Sequence, residues 1–242
     1  MTARTLIPRI FSYQLTGHPW SARADKLQSA TGLMLASFLV FHLHFESSIL
    51  LGKEVFFHLV QILEGGLFTD DGRGVSAFTQ IFSVFMLLIV VLHAAMALRR
   101  FPSQLGQWRA LRGHLVCVKH KDTQAWFWQL ATGFILFFLV PAHLFTMILH
   151  PEIGPNLSAA RVVQDNFWLL YALLLPAVVI HGLIGLYRVA VKWGLVSNRS
   201  VLRKVIKLLI IYLILLGCAS LLAYVVIGLD LPSQVSPYIS KI

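Results

Sequence analysis

Five long apolar stretches, separated by shorter polar segments, dominate the pattern of hydrophobic and polar positions along the 242-residue chain. A helix of about 20 apolar residues crosses the roughly 30 Å hydrocarbon core of a bilayer, and each stretch is long enough to do so. The predicted spans cover residues 28–51, 76–98, 125–149, 166–191 and 205–228. The pattern therefore predicts an all-α integral membrane protein in which residues 1–242 form a single transmembrane domain.

A shorter helix is predicted in the loop between the first two spans, residues 52–75. The loop begins KEVFFHLVQILEGG, in which His58, Gln61 and Glu64 recur every three residues among apolar neighbours. This spacing is typical of a helix that lies in the membrane interface with one polar side. The two glycines that close the sequence are expected to end the helix.

Two further polar segments differ in character. Residues 99–124 (RRFPSQLGQWRALRGHLVCVKHKD) are rich in cations and are predicted to be partly helical. Their charge favours contact with anionic membrane lipid or with a cytoplasmic protein. The segment after Leu229 contains Pro232 and Pro237 and is predicted to be irregular.

The composition agrees with a membrane protein. Hydrophobic residues make up 57% of the chain and charged residues only 12%, and the mean hydropathy is +0.76, which is too apolar for a soluble domain. The net charge of +10 would by itself suggest a nucleic-acid partner. The cations lie in short blocks between apolar runs, however, and no nucleic-acid-binding motif accompanies them, so no nucleic acid is expected.

The distribution of these cations predicts the orientation of the chain, because loops rich in Lys and Arg normally stay in the cytoplasm. Segments 1–27, 99–124 and 188–207 contain 16 Lys and Arg residues. The opposite side contains four, namely Lys53, Arg73, Arg161 and Lys241. With an odd number of spans, the N-terminus is then cytoplasmic and the C-terminus lies on the outer side.

The two cysteines exclude several kinds of redox site. Cys117 lies in a basic loop and Cys218 in an apolar run, so they form neither a disulfide framework nor a C-x-x-C-H motif for covalent haem. A cysteine-ligated iron–sulfur cluster is therefore not expected in this chain. Residues 1–25 contain no apolar run of signal-peptide length, so no cleavage of the N-terminus is expected.

Four histidines inside the predicted spans are candidate site residues, because a ring nitrogen in hydrocarbon must find a partner. They are His42, His93, His143 and His181, one in each of the first four spans. Because successive spans run in opposite directions, His42 and His143 fall in the outer half of the membrane and the other two in the inner half. Two stacked pairs of imidazoles suit two haems, each with both axial positions occupied, an arrangement that favours electron transfer.

A membrane histidine on its own is more often a hydrogen-bond donor between helices, but four at paired depths favour ligation. Nearby glycines at 32, 133, 182 and 185 let backbones approach closely or make room for a macrocycle. His44 is only two residues from His42 and points to a different face. The remaining histidines are expected to be solvated, namely His18, His58, His114, His120 and His150.

These residues and their surroundings resemble the five-span type of dihaem cytochrome b subunit in fumarate reductases and succinate:menaquinone reductases. The resemblance runs from about residue 26 to 194. It is carried by QSATGL (28–33) with His42 ten residues beyond its glycine, LHAAMALRRFP (92–102), ATGFILFFLVPAHL (131–144) and HGLIGLYRVAVKWG (181–194). The fifth span and the tail match only in general character.

The resemblance implies a bundle of four helices around two b haems. The iron ligands would be His42 with His143 in the outer haem and His93 with His181 in the inner haem. The residues at positions that hold haem propionates in the family are Gln28, Ser29, Trp126 and Lys192.

The resemblance also implies oxidation of menaquinol near the outer haem. Glu64 matches the glutamate that accepts protons from the quinol in the family. Glu46, one helical turn after His42, is a second candidate for proton transfer, and His58 and Gln61 are candidates for orienting a quinone carbonyl. One position departs from a branch of the family, because Val179 stands where that branch has a glutamate proposed to carry protons across the membrane.

The expected partners are an iron–sulfur subunit on the cytoplasmic side and, through it, a flavoprotein that contains the dicarboxylate site. The expected assembly is a dimer of heterotrimers in the inner membrane, which reduces fumarate in anaerobic respiration. Three alternatives stay open: the same subunit working as a succinate:menaquinone reductase, a cytochrome b anchor of a hydrogenase or formate dehydrogenase, and a haem-free transporter of protons or metal ions.

Overall fold

The computed structural model describes residues 19–70, 72–99, 101–117 and 120–240, and within them the ordered elements are helices. The α-helices are α1 (Pro19–Ser47), α2 (Lys53–Leu63), α3 (Ala77–Leu98), α4 (Leu105–Cys117), α5 (Lys121–Leu149), α6 (Pro155–Val163), α7 (Trp168–Lys192) and α8 (Arg199–Leu229). Short 3₁₀ segments follow α1 (Ser48–Leu51) and α2 (Gly66–Phe68). His18 and five cations used to predict the orientation lie outside the described residues: Arg4, Arg9, Arg100, Lys119 and Lys241.

Five of the helices, α1, α3, α5, α7 and α8, are long and apolar enough to cross a membrane. The predicted all-α fold with five spans is thus confirmed. Three spans begin earlier than predicted, by nine residues in α1, four in α5 and six in α8. These additional turns contain charged residues and therefore lie outside the apolar stretches that predict the spans. They are helical all the same, because Lys and Arg are good helix formers.

Polar caps explain where two of these helices begin. The Nδ1 atom of His120 accepts a hydrogen bond from the main-chain N–H of Asp122 at 3.2 Å at the start of α5. The Oδ1 atom of Asn198 accepts from the N–H groups of Ser200 and Val201, each at 3.1 Å, at the start of α8. Such caps satisfy main-chain donors that have no partner within the helix.

The centre of the bundle is apolar. Leu39 of α1, Val179 and Leu183 of α7, and Leu213 of α8 form a buried cluster, and Val179 is completely inaccessible. Gly217 allows α7 and α8 to approach closely, because a Cβ atom there would lie 2.5 Å from Leu175 Cδ1. The position that carries a glutamate in one branch of the family is therefore enclosed by hydrocarbon in this chain.

The outer side has more structure than the sequence predicts. Helix α2 is present as predicted, and Gly65, in the left-handed region with φ of 83°, follows it. Helix α6 was not predicted because it is short and of mixed polarity. It packs through Ala159 and Val162 against Tyr224 of α8, and a Cβ atom on Gly228 would lie only 2.6 Å from the main-chain oxygen of Ala159.

The two remaining predicted segments are also confirmed. Residues 99–124 contain the short helix α4, and the tail after Asp230 is irregular. The tail lies on α2 and α6, because the Tyr238 hydroxyl donates to Glu54 Oε2 at 2.6 Å and Asn156 Nδ2 donates to the main-chain oxygen of Ser236 at 3.4 Å.

Candidate functional site

A continuous cavity of about 1870 Å³, enclosed mainly by α1, α3, α5 and α7, runs through the bundle. Its lining extends from Gln28 and Lys192 at one end to Glu46 and Arg161 at the other. Typical small-molecule sites occupy roughly 300–1,000 Å³, so this volume is sufficient for two large ligands. All four predicted ligand histidines line the cavity.

The outer histidine pair joins α1 to α5. The ring centres of His42 and His143 are 6.2 Å apart, with the ring planes inclined by 47°. Phe38, one turn before His42, stacks on its ring at 5.3 Å. The Nδ1 atom of His143 is buried and has no hydrogen-bond partner among the described residues. A buried polar atom without a partner is unusual in a protein interior and points to a functional role for the ring.

The inner pair joins α3 to α7. The ring centres of His93 and His181 are 6.4 Å apart, with the planes inclined by 87°. His181 Nδ1 lies 3.0 Å from the main-chain oxygen of Gln129, and His93 Nδ1 lies 3.1 Å from the Thr31 hydroxyl, whose own proton is donated to Leu27 O at 2.8 Å. Both Nδ1 atoms therefore carry the proton, which leaves each Nε2 lone pair free to bind a metal.

Both ring separations fit a single metal ion held between two imidazoles. With a metal–nitrogen bond of about 2 Å and a ring centre about 1 Å beyond the nitrogen, the centres of two opposed ligands lie about 6 Å apart. The observed values of 6.2 and 6.4 Å agree with this separation. The donor set, two neutral imidazoles on facing helices, is also that of a b-type haem.

Two of the four glycines near these pairs provide room for the ligand rings. A Cβ atom on Gly32 would lie 3.0 Å from Cε1 of His93, and one on Gly133 would lie 2.9 Å from Cε1 of His181. The other two also line the cavity but face other side chains, since a Cβ atom on Gly182 would lie 3.2 Å from Leu39 and one on Gly185 would lie 3.0 Å from Nε2 of Gln129. The sequence alone did not distinguish these two uses of glycine.

The inner end of the cavity is polar and positively charged. The four residues predicted to hold haem propionates all line it, namely Gln28, Ser29, Trp126 and Lys192. Lys192 Nζ lies 3.6 Å from Asp25 Oδ2, and Asp25 also pairs with Arg99 at 2.8 Å. Arg188 and Asp122 also line the cavity here, so three cations against two carboxylates leave positive charge at this end.

Glu64 lies just outside the opposite end. It is only 5% exposed, and its Oε1 atom accepts a hydrogen bond from the hydroxyl of Thr79, a cavity-lining residue, at 2.8 Å. Burial raises the pKa of the Glu64 carboxyl, the Thr79 hydrogen bond opposes this, and the negative charge of Glu152 raises it further.

The other three quinone-site candidates lie in different places relative to the cavity. Glu46 lines the cavity and accepts a hydrogen bond from the Tyr224 hydroxyl at 2.9 Å. Gln61 lies beside Glu64, where its Oε1 accepts from the N–H of Gly74 at 2.6 Å. His58 is outside the cavity lining and lies 3.2 Å from Glu54.

Comparison with known proteins gives close relatives. The chain is 45% identical over 212 residues to the fumarate reductase cytochrome b subunit of Helicobacter pylori, an alignment that covers 86% of this chain and 82% of that protein. The chain belongs to the family of fumarate reductase cytochrome b subunits. The subunit of that name from Wolinella succinogenes is 38% identical over 216 residues, 86% of this chain and 84% of that protein. Residues 106–219 match the family described as succinate dehydrogenase/fumarate reductase transmembrane subunit.

As a member of the fumarate reductase cytochrome b family, the chain is a multi-pass protein of the inner membrane and a subunit of an oxidoreductase complex involved in electron transport. This membership argues against the hydrogenase and formate dehydrogenase anchors and against a haem-free transporter. It agrees with the family that the sequence motifs indicated.

Several residues of this cytochrome b subunit were missed by sequence reasoning. Thr31 and Gln129 orient the inner histidines, and Arg188 donates to Gln129 Oε1 at 2.5 Å at the cavity wall. Arg161 is buried at the outer end and donates to the main-chain oxygens of His150 and Glu152. The spacing of seven residues from His181 to Arg188, which places both on one helix face, was a usable signal; the Thr31 and Gln129 contacts cross between helices and left none.

The remaining histidines that the structure describes lie away from the cavity lining, as expected. His44 faces α8, where its Nε2 lies 2.9 Å from the Tyr212 hydroxyl. His114, His120 and His150 are exposed.

Proposed function

We propose that this subunit oxidises menaquinol and passes the electrons through two b haems to a cytoplasmic iron–sulfur subunit for fumarate reduction. The observation that carries the proposal is the presence of two histidine pairs in one cavity, each with the ring separation expected for opposed ligands of one metal. The names of the relatives, fumarate reductase cytochrome b subunits, supply the chemical context.

His42 with His143 would hold the outer haem, and His93 with His181 the inner haem. When bound, each haem supplies one-electron oxidation and reduction. All four intramembrane imidazoles would then be used in holding haem. Thr31 and Gln129 keep the inner rings in the tautomer that presents Nε2 to the metal.

The propionates of the inner haem fit the polar inner end of the cavity. Lys192 supplies positive charge there, while Gln28 and Trp126 are hydrogen-bond donors close to the same end. The Ser29 hydroxyl donates to the main-chain oxygen of Asp25 at 2.9 Å and would have to turn to reach a propionate. Lys192 already contacts Asp25, so the lysine would be shared between a protein carboxylate and a haem carboxylate. Arg188, at the same wall, is a second cation for this purpose.

Quinol oxidation requires a group that accepts protons as the electrons leave. Glu64 is suited to this role, because its buried carboxylate has a raised pKa and is oriented by Thr79 beside the outer end of the cavity. Glu46, on the cavity wall with Tyr224, is a second proton-transfer group. Gln61 adjoins Glu64 and is better placed to contact a quinone than His58, which pairs with Glu54.

The partners would be an iron–sulfur protein and, through it, a flavoprotein, in a dimer of heterotrimers. The positively charged inner end of the bundle, close to the inner histidine pair, is the expected docking side, and the cation distribution predicts that this side is cytoplasmic. The same residues would serve succinate oxidation with menaquinone reduction if the potentials favour that direction, so the direction is decided by assay.

The test is a haem count on the complex purified with this chain, by pyridine haemochrome and by a dithionite-reduced minus oxidised spectrum. Two haem b per chain are expected, together with a co-purifying flavoprotein and faster menaquinol:fumarate than succinate:menaquinone turnover. A chain without haem from membranes competent to supply it would overturn the electron-transfer proposal. A co-purifying nickel or molybdenum subunit would overturn the assignment of partners.

A glycine substitution should disturb one haem selectively. In Gly133→Ala, the new Cβ would lie 2.9 Å from the His181 ring and force it to move, so we expect the inner haem occupancy to fall by half or more. The remaining inner haem should show shifted g-values in its low-spin EPR spectrum, with the outer signal unchanged.

The matched control for this substitution is Gly113→Ala in α4, where a Cβ atom would have no neighbour within 4 Å. The control should bind both haems normally, and alanine should be tolerated there because it is the better helix former. Equal spectra for the two variants would contradict the role of Gly133.

A further inference from the structure

A second cleft, of about 390 Å³, lies outside the bundle where α5, α7 and α8 meet near the start of α8. Its wall contains four cations, Lys121, Arg203, Lys204 and Lys207, together with the Ser200 hydroxyl. The four residues from α8 follow the spacing i, i+3, i+4, i+7 and therefore lie on one helix face. The cleft shares the wall residue Tyr187 with the large cavity but contains none of the proposed haem ligands.

The charge of this cleft is not balanced by the protein. Asp122 is the carboxylate beside it, and Arg203 already pairs with Asp122 at 3.3 Å. The Tyr187 hydroxyl strengthens this pair, since it donates to Asp122 at 2.7 Å and accepts from Arg203 at 3.1 Å. Within the described part of the chain, Lys204 and Lys207 form no ion pair, and both side chains are exposed.

The rest of the cleft is apolar. Ala125 of α5, Ile184 of α7, and Ile206 and Ile210 of α8 line it. Ile210 lies three residues further into the span than Lys207, which is roughly 4–5 Å along the helix axis. The cations lie at the start of α8 and the aliphatic side chains lie further into the span. A phospholipid has the same order, with its phosphate at the membrane surface and its acyl chains below.

We propose that this cleft binds the headgroup of an anionic phospholipid, with the phosphate beside Lys204 and Lys207 and the upper acyl chain along Ile184 and Ile210. Basic pockets between transmembrane helices on the cytoplasmic side are suited to such headgroups, and the cation distribution of this chain makes this end cytoplasmic. If the two lysine side chains served only to reach water at the membrane surface, they would not need to share a cleft with an apolar floor.

The test uses the intact complex in mild detergent and native mass spectrometry with dissociation of the bound lipid. We expect the wild type to retain an anionic phospholipid. The double variant Lys204→Gln/Lys207→Gln should lose at least about 10-fold in occupancy, and Lys204→Arg/Lys207→Arg should retain the lipid. The matched control is Arg23→Gln/Lys26→Gln on α1, which has the same charge change, the same spacing and exposed side chains at the same end of the bundle.

A second arm distinguishes a lipid from a free anion. The delipidated complex is titrated with dioctanoyl phosphatidylglycerol, with dioctanoyl phosphatidylcholine and with glycerol 1-phosphate, and only the first should bind in the micromolar range. If glycerol 1-phosphate bound equally well, the ligand would be a soluble anion and not a lipid. If phosphatidylcholine bound equally well, the negative charge of the lipid would have no role in recognition. Equal loss in the α1 control, or no loss in the α8 variant, would each overturn the proposed site.

Discussion

Replacement of Glu64 by glutamine is expected to lower menaquinol oxidation by about 100-fold or more, with both haems retained. Glutamine keeps the size of the side chain and can still contact the Thr79 hydroxyl, 2.8 Å from the native carboxylate. It cannot accept a proton, however, and a positioned general base typically contributes about 10²–10⁴-fold to a rate. The measurement is menaquinol:fumarate turnover, beside a haem spectrum and the rate of haem reduction by quinol.

The pH dependence gives this prediction a sharper control. The wild-type rate should fall on the acidic side as Glu64 becomes protonated, and burial places that limb above the ordinary glutamate pKa of about 4.3. The negative charge of Glu152 raises the pKa of Glu64, so Glu152→Gln should move the limb to lower pH and keep the activity. An unchanged rate in Glu64→Gln would exclude this carboxylate as the proton acceptor.

Loss of one histidine ligand should remove one haem and interrupt electron transfer. In His143→Ala, the proposed outer haem would lose one of the two imidazoles that would hold it, so the haem content should fall from two to about one. Quinol:fumarate turnover should drop by about 100-fold or more, because the proposed path from the quinol uses this haem. Haem content, EPR spectra and turnover measure these effects.

The pairing itself is tested by comparing variants. His42→Ala should lose the same spectral component as His143→Ala, and His93→Ala should lose the same component as His181→Ala. His44→Ala is the matched control, because this histidine lies two residues from His42 but contacts Tyr212 instead of the cavity. Loss of different components within a pair would contradict the ligand assignment.

Much of the fold was predictable because the bilayer imposes simple rules. A continuous apolar run must become a helix, since main-chain polar groups in hydrocarbon have to bond within their own segment. The shared depth of His42 and His143, which lie on two spans that run in the same direction, then follows from counting residues. The end of α2 followed from Gly65, which adopts a left-handed conformation.

The parts that could not be predicted depend on contacts between distant segments. Helix α6 is stabilised by its fit against Gly228 and Tyr224 of α8, and a nine-residue segment of mixed polarity carries no independent signal. Thr31 is an ordinary helix residue in the sequence, and only the approach of α3 reveals its contact with His93. Partners across helices are therefore visible only in three dimensions.

Val179 has a consequence for cellular energetics. Because Val179 cannot carry a proton and is packed among Leu39, Leu183 and Leu213, electrons that follow the proposed path have no proton carrier at that point of α7. Each turnover would then move both electrons of the quinol inward and leave both protons outside. This separation of charge would generate a membrane potential that is positive on the outer side. In proteoliposomes, a voltage-sensitive dye would report fumarate respiration by this protein as a contribution to the proton-motive force.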